Sequence, residues 1–289
     1  MNQLANIAFD PDQTAELVFS EKSGVNTTED VLIAQVSENI RRGLPQVRPD
    51  YPNQETICLV AGGPSLEKTK HELIDLYWRG AKIVAVNGTY NWCIEKNIKP
   101  SAMVLMDARP FNARFVEQAV PKCKYFISSQ CHPDAFELCR DRETFIWHAI
   151  SAGERELELL DEFYFGRKNH HPITLGTTVS LRAISLLRLI GFLRFEIFGL
   201  DSCWMEGEHH AYEQPENGNE QPLPIWPKPR DHKIAPRRFL CSPWHAKQAM
   251  DFMELIKERG DLFQLNVHGD GLIAYIMRTS AELQLTEGA

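Results

Sequence analysis

The sequence predicts an α/β fold: a doubly wound, mostly parallel, Rossmann-like sheet with an N-terminal helical arm and a long Pro-rich loop. Three observations carry that prediction. From residue 56 onward, short apolar runs alternate with helical stretches. The runs are apolar almost throughout instead of alternating with polar residues, as strands covered on both faces must be. Where a run ends, Gly, Asn, Asp or Thr recurs, at the edge where open α/β sheets bind ligands.

Residues 1–50 read as the arm. In "TEDVLIAQVSENIRRGLP" the apolar Val31, Leu32, Val36 and Ile40 fall near helical spacing, and Gly43 with Pro45 supplies the stop. Residues 51–289 read as the Rossmann-like domain. "TICLVAGG" is its first strand, and "SLEKTKHELIDLYWRG" is a helix capped by Ser65 and closed by Gly80. "AKIVAVNGT", "SAMVLMDA", "KYFISSQ" and "TFIWHAI" continue the strands. "TLGTTVSLRAISLLRLIGF" then reads as one long buried helix, followed by the strand "RFEIFGLD". Residues 206–241, rich in Pro, Asn, Glu and His, read as a long loop or lid. "SPWHAKQAMDFMELIKERG" is a helix capped by Ser242 with Pro243 in its first turn, and "LFQLNVHGDGLIAYI" gives a last strand, a Gly-Asp-Gly turn and a short helix.

Bulk properties exclude several classes. The 289 residues carry a net charge of −8, against general nucleic-acid binding through a basic surface. No run of apolar residues is long enough to span a membrane, and the N-terminus lacks a secretory pattern, so a cytoplasmic protein is expected. The seven cysteines form no C-x-x-C pair and read as buried thiols in a reducing compartment. No G-x-S-x-G elbow is present.

The candidate site residues lie at strand ends. Gly62, Gly63, Pro64 and Ser65 join the first strand to its helix. A phosphate cradle and a plain tight turn explain them equally, because the turn matches neither G-x-G-x-x-G nor a Walker loop. Pro64 removes one amide, which leaves those of Gly63, Ser65 and Leu66 as the expected phosphate donors. Asn87 can read a base or ribose, although taken alone an Asn-Gly turn is the simpler explanation. Asp107 can hold Mg²⁺ or act as a base, against a surface pair with Arg109. The convergence of these residues on one edge favours a site. Gly176, Thr177 and Thr178 open the next helix as a second anion cradle, and Asp201 adds a carboxylate at the same edge. In "EGEHHAYEQ", His209 and His210 are neighbours, poorly spaced for zinc; one of them can serve as acid/base or phosphate partner. The basic cluster Lys228, Arg230, Lys233, Arg237 and Arg238 is either a lid over phosphates or an exposed charged face.

Taken in order, "VAGGPSLE", "AVNGTYNW", "MDARP", "TLGTTVSLRAISLLRLIGF" and "EIFGLDSCW…HHAY" resemble the 6-hydroxymethylpterin diphosphokinase MptE-like family. The same order is similar to bacterial sialyltransferases that use CMP-sialic acid and to flagellin-modifying accessory proteins. The resemblance spans roughly residues 56–215, and more weakly the tail to 275. It implies nucleotide phosphates beside Gly62–Ser65, a nucleoside near Asn87, and a phosphate region lined by Gly176, Thr177 and Thr178. It further implies Asp107 as a metal or substrate carboxylate, Asp201 closing the site, and a catalytic histidine, His210 or its neighbour His209. Two departures stand out: the glycines are adjacent, and two histidines replace one. The implied activity is pyrophosphoryl or related transfer from a nucleotide such as ATP, with Mg²⁺, to a small-molecule acceptor. A CMP-sugar-dependent glycosyltransferase and a non-catalytic nucleotide-binding or assembly module are the alternatives.

Overall fold

The computed structural model describes residues 27–214, 222–259 and 263–280; residues 1–26 of the expected arm and 215–221 of the expected loop lie outside them. The elements run α1 (Glu29–Asn39), β1 (Asn53–Val60), α2 (Ser65–Trp78), β2 (Lys82–Val86), α3 (Thr89–Glu95), β3 (Ala102–Leu105), β4 (Lys124–Ser128), α4 (Pro133–Leu138) and β5 (Thr144–Ala149). They continue with α5 (Gly153–Phe163), β6 (Pro172–Ile173), α6 (Val179–Leu189), β7 (Phe192–Phe198), β8 (Leu223–Ile225), β9 (Phe239–Cys241), α7 (Pro243–Arg259), β10 (Gln264–Val267) and α8 (Leu272–Thr279).

Eight strands form one sheet in the order β10-β7-β1-β2-β3-β4-β5-β6, every neighbouring pair parallel. Successive strand residues serve two cores. Ile57, Leu59, Val84 and Val86 face the layer containing α6 and α7, while Cys58, Val60, Ile83 and Ala85 face the layer containing α2. Both faces being covered is why the strands read as unbroken apolar runs. The chain walks outward from β1 to β6; α6 then carries it back across the sheet to β7, on the other side of β1. The order therefore reverses between β1 and β7, which makes the gap beyond their carboxyl ends the topological switch point.

The described half of the arm is fastened to this domain. Val36 and Ile40 join the α2-side core, and Asn39 Nδ2 donates to the carbonyls of Ser129 (2.9 Å) and Cys131 (2.8 Å). Residues 45–47 run beside β5, Val47 N donating to Ile146 O and Ile146 N to Pro45 O (both 2.9 Å).

Two element readings change. The helix expected over 174–192 begins only at Val179: Pro172 and Ile173 pair with His148 and Ala149 as β6. Gly176 has φ +91, a left-handed conformation that no helix interior accepts. The expected loop holds an antiparallel pair, β8 with β9, joined to residue 204 by a bridge to Leu240. All seven cysteines are free and buried, and among the described residues no helix is long and apolar enough to cross a membrane.

Candidate functional site

At the switch point the turns after β1 and β7 are zipped together. Ala61 N donates to Phe198 O (2.8 Å), and Gly63 N donates to Gly199 O (2.7 Å). So close an approach needs a residue without a Cβ: one built on Gly63 would stand 2.6 Å from Gly199 O and collide with Asp201.

The three amides expected to hold phosphate are already committed. Gly63 N serves Gly199, Leu66 N donates to Gly63 O (3.1 Å), and Ser65 N donates to Asp201 Oδ2 (2.7 Å). Ser65 is not the cap of α2. Pro64 occupies the N-cap position without a side-chain bond, and Asp201 supplies the acceptor from the far strand. Asp201 is only 2% exposed and is walled in by Gly271, where a Cβ would lie 2.5 Å from Oδ1. Burial, partly offset by its bonds with Ser65, raises its carboxyl to about 6.

Asn87 takes φ +45, a left-handed turn before Gly88, and its Oδ1 accepts from Met106 N (3.3 Å). Asp107 is forked by Arg109: Oδ1 to Nε at 3.0 Å and Oδ2 to Nη2 at 2.7 Å, both side chains about one-fifth exposed. Neither Asn87 nor Asp107 lines the switch-point cavity. The donor set fits Mg²⁺ poorly. Both Asp107 oxygens are taken by a guanidinium, Asp201 is sealed, and among the described residues no group of three His, Cys, Asp or Glu could hold a metal.

The second cradle is tied down from α7. Asp251 Oδ2 accepts from Thr177 N (3.0 Å) and Thr177 Oγ1 (2.7 Å), while Gln248 Nε2 donates to Thr178 Oγ1 (2.7 Å). Ser202 Oγ, just after β7, donates to Gln248 Oε1 (2.7 Å). Arg182 Nε holds the Gly176 carbonyl at 2.7 Å. These bonds use the threonine hydroxyls and the Thr177 amide. Val179 and Ser180, in the first turn of α6, line a cavity of about 110 Å³ at the switch point.

The rest of that cavity is walled by the β1 and β7 turns, by His209, His210 and Tyr212, and by the start of α7. Among the described residues, buried Asp201 is the one Asp, Glu, Lys or Arg side chain on the wall. Burial, then the neighbouring His209 ring, lowers His210 to about 3, so it is neutral. Tyr212 fills the slot between the β1 and β2 ends. Ala211 N donates to Gly62 O (2.9 Å), and a Cβ on Gly62 or Gly88 would come within 2.8 Å or 2.7 Å of the tyrosine ring or hydroxyl. Pockets for drug-sized ligands run to roughly 300–1,000 Å³. The present cavity is smaller than that range, and Tyr212 occupies the slot beside it.

The switch point therefore brings together Gly62, Gly63, Thr178, Asp201, His209 and His210. Arg237 of the basic cluster pairs with Asp270 (2.6 Å) and Arg238 lies over Trp226, away from this wall. Sequence reasoning missed Tyr212 and three α7 residues, His245, Gln248 and Asp251. Their i, i+3, i+6 spacing puts them on one helix face, and they are 2%, 7% and 3% exposed. Three polar residues on a single helical stripe were the available signal.

The fold is that of a parallel α/β protein with a cavity at the topological switch point, where open α/β sheets bind their ligands. The family model described as 6-hydroxymethylpterin diphosphokinase MptE-like matches residues 31–207, more than half of the chain, and the chain belongs to that family. The match takes in both glycine turns and the start of α6 but stops before His210, Tyr212 and α7. Among solved structures, the MAf glycosyltransferase from Magnetospirillum magneticum AMB-1 has the same fold, with a TM-score of 0.63 at 13% identity. The superposition covers 91% of this chain and 41% of that one, so this chain spans less than half of its length. No curated protein matches.

Proposed function

We propose that this chain is a nucleotide-dependent transferase whose donor phosphate lies at the N-terminus of α6, in the switch-point cavity. The carrying observation is that the first turn of α6 lines this cavity, while the amides of Gly63, Ser65 and Leu66 are donated to Gly199, Asp201 and Gly63. Free first-turn N–H groups and the positive end of the helix dipole favour an anion there. Family membership supports pyrophosphoryl or related transfer from the nucleotide to a small-molecule acceptor. Catalysis on this reading is chiefly positioning and dipolar stabilisation of phosphate oxygens in a site closed to water. No step is assigned to Mg²⁺, because Asp107 and Asp201 are otherwise engaged.

One observation favours sugar transfer as a second reading. The neutral His210 imidazole stands on the cavity wall with its Nδ1 buried and without a hydrogen-bond partner. When Tyr212 withdraws and water returns, relief of burial moves His210 towards the ordinary histidine range, where it can take a proton from an acceptor hydroxyl.

Thermal unfolding with ATP or CMP, each with and without Mg²⁺, separates the readings. Ligand at about 100 times its Kd adds roughly 2.7 kcal/mol, a shift of several degrees. Stabilisation by ATP supports pyrophosphoryl transfer, and stabilisation by CMP alone supports sugar transfer. No shift with either nucleotide refutes the proposal and leaves an assembly module.

A further inference from the structure

His245 takes no part in any reading of the sequence, yet its surroundings fix it unusually tightly. Ser242 is the N-cap of α7, its carbonyl accepting from His245 N (2.9 Å) and Ala246 N (3.2 Å). In the reverse direction Ser242 N donates to His245 Nδ1 (3.2 Å). This is the reciprocal bond of a capping box, with histidine in the place usually held by Glu or Gln. Ser242 Oγ is occupied as well, accepting from Trp204 Nε1 (2.8 Å).

Because a backbone N–H points at Nδ1, that nitrogen must be the acceptor, and a neutral ring then carries its proton on Nε2. The ring is 2% exposed and stacked on Trp244 at 3.6 Å, and burial keeps it well below the ordinary histidine range. His245 is thus a neutral donor with one tautomer. The α7 stripe supplies the direction. Asp251 reaches Thr177, and Gln248, one turn nearer the N-terminus, reaches Thr178. His245 is the next residue up the same face and lines the cavity beyond Thr178.

We propose that His245 Nε2–H is a fixed hydrogen-bond donor to a phosphate oxygen of the bound nucleotide, completing the anion site formed by the first turn of α6. The assignment rests on reading the cavity as the phosphate end of a donor site. It suits a wall without lysine or arginine, since a neutral imidazole can stabilise negative charge without bringing a buried cation. An imidazolium is not required, and the capping bond to Nδ1 disfavours one.

The test is calorimetric titration of the full chain with ATP, CMP and inorganic pyrophosphate, using wild type, His245→Gln and His245→Glu. Both replacements keep an acceptor for Ser242 N, but only glutamine can also donate. Glutamate should weaken binding by roughly tenfold or more, as expected for loss of a hydrogen bond to a charged group, and glutamine should retain most of it. Nitrogen NMR of labelled histidine on the wild type adds a readout that folding alone does not move: Nε2 should be the protonated nitrogen and should shift when pyrophosphate is added. If wild type binds none of the three probes, the nucleotide reading fails and takes this assignment with it. If wild type binds and folded His245→Glu binds equally well, or the Nε2 signal does not move, only the role of His245 is overturned. Should His245→Glu fail to fold, the Nε2 signal decides alone.

Discussion

Replacing Asp201 by Asn tests whether this carboxylate is a buried cap or an open catalytic group. Burial raises its carboxyl from 3.8 to about 6. At ~1.36 kcal/mol per unit, this is about 3 kcal/mol. The sign follows from the direction. Below about pH 4 both folded and unfolded chains hold the proton, and burial of the neutral acid carries no ionisation cost. Between about pH 4 and 6 the folded chain keeps a proton that the unfolded chain releases, so this group's contribution to stability falls as pH rises. Asparagine presents the same acceptor to Ser65 N and never ionises. Urea unfolding of both proteins at several values from about pH 4 to 7.5 should show Asp201→Asn gaining on wild type by up to about 3 kcal/mol across that window. Ionised Asp201 also repels Asp270 and attracts Lys68, and both interactions vanish in the asparagine variant, so they are contained in the measured difference. A difference that stays flat with pH would mean that Asp201 is hydrated and open, and the cap assignment would fall.

Three further substitutions test the contacts around the switch point. Gly63→Ala drives a methyl group into the Gly199 carbonyl and Asp201, whereas Gly62→Ala meets the far end of the Tyr212 side chain. Thermal unfolding should place the Gly63 variant about 1–3 kcal/mol below wild type and the Gly62 variant nearer to it; the reverse order would show that the β1–β7 zipper is loose. Asp251→Ala removes the acceptor for Thr177 N and Oγ1 and the partner of Lys247. It should cost about 2–3 kcal/mol in denaturant unfolding, and a loss within experimental error would show that α7 does not hold the α6 turn.

Much of the sheet is legible because its physics is local. β1 to β5 are apolar runs, and the helix breakers between them mark where each ends. What escapes sequence reading is set by partners far along the chain. Ser65 follows a proline at the start of a helix and has the chemistry of a cap, yet the acceptor is Asp201, 136 residues away. Leu175 extends the apolar pattern of α6 backward, and only the left-handed backbone of Gly176 shows that the helix has not begun. In α7 the apolar stripe of Ala249, Phe252 and Leu255 satisfies the usual amphipathic reading. His245, Gln248 and Asp251 then pass for a solvated face, although α6 and the β7 turn bury them.

The glycines are the sharpest case. In "VAGGPSLE" two adjacent glycines before a helix suggest room for a phosphate; Gly63 lets β1 approach β7, and Gly62 makes room for Tyr212. The same approach consumes the amides that a phosphate would need, because Gly63 N is donated to Gly199 and Ser65 N to Asp201. Several helices begin near this edge, and at the start of α2 the amides of Gly63, Ser65 and Leu66 are already donated. On the proposed reading, anion binding at the switch point falls to α6. Its threonines are bonded to α7, Thr177 to Asp251 and Thr178 to Gln248, and Thr178, Val179 and Ser180 line the cavity.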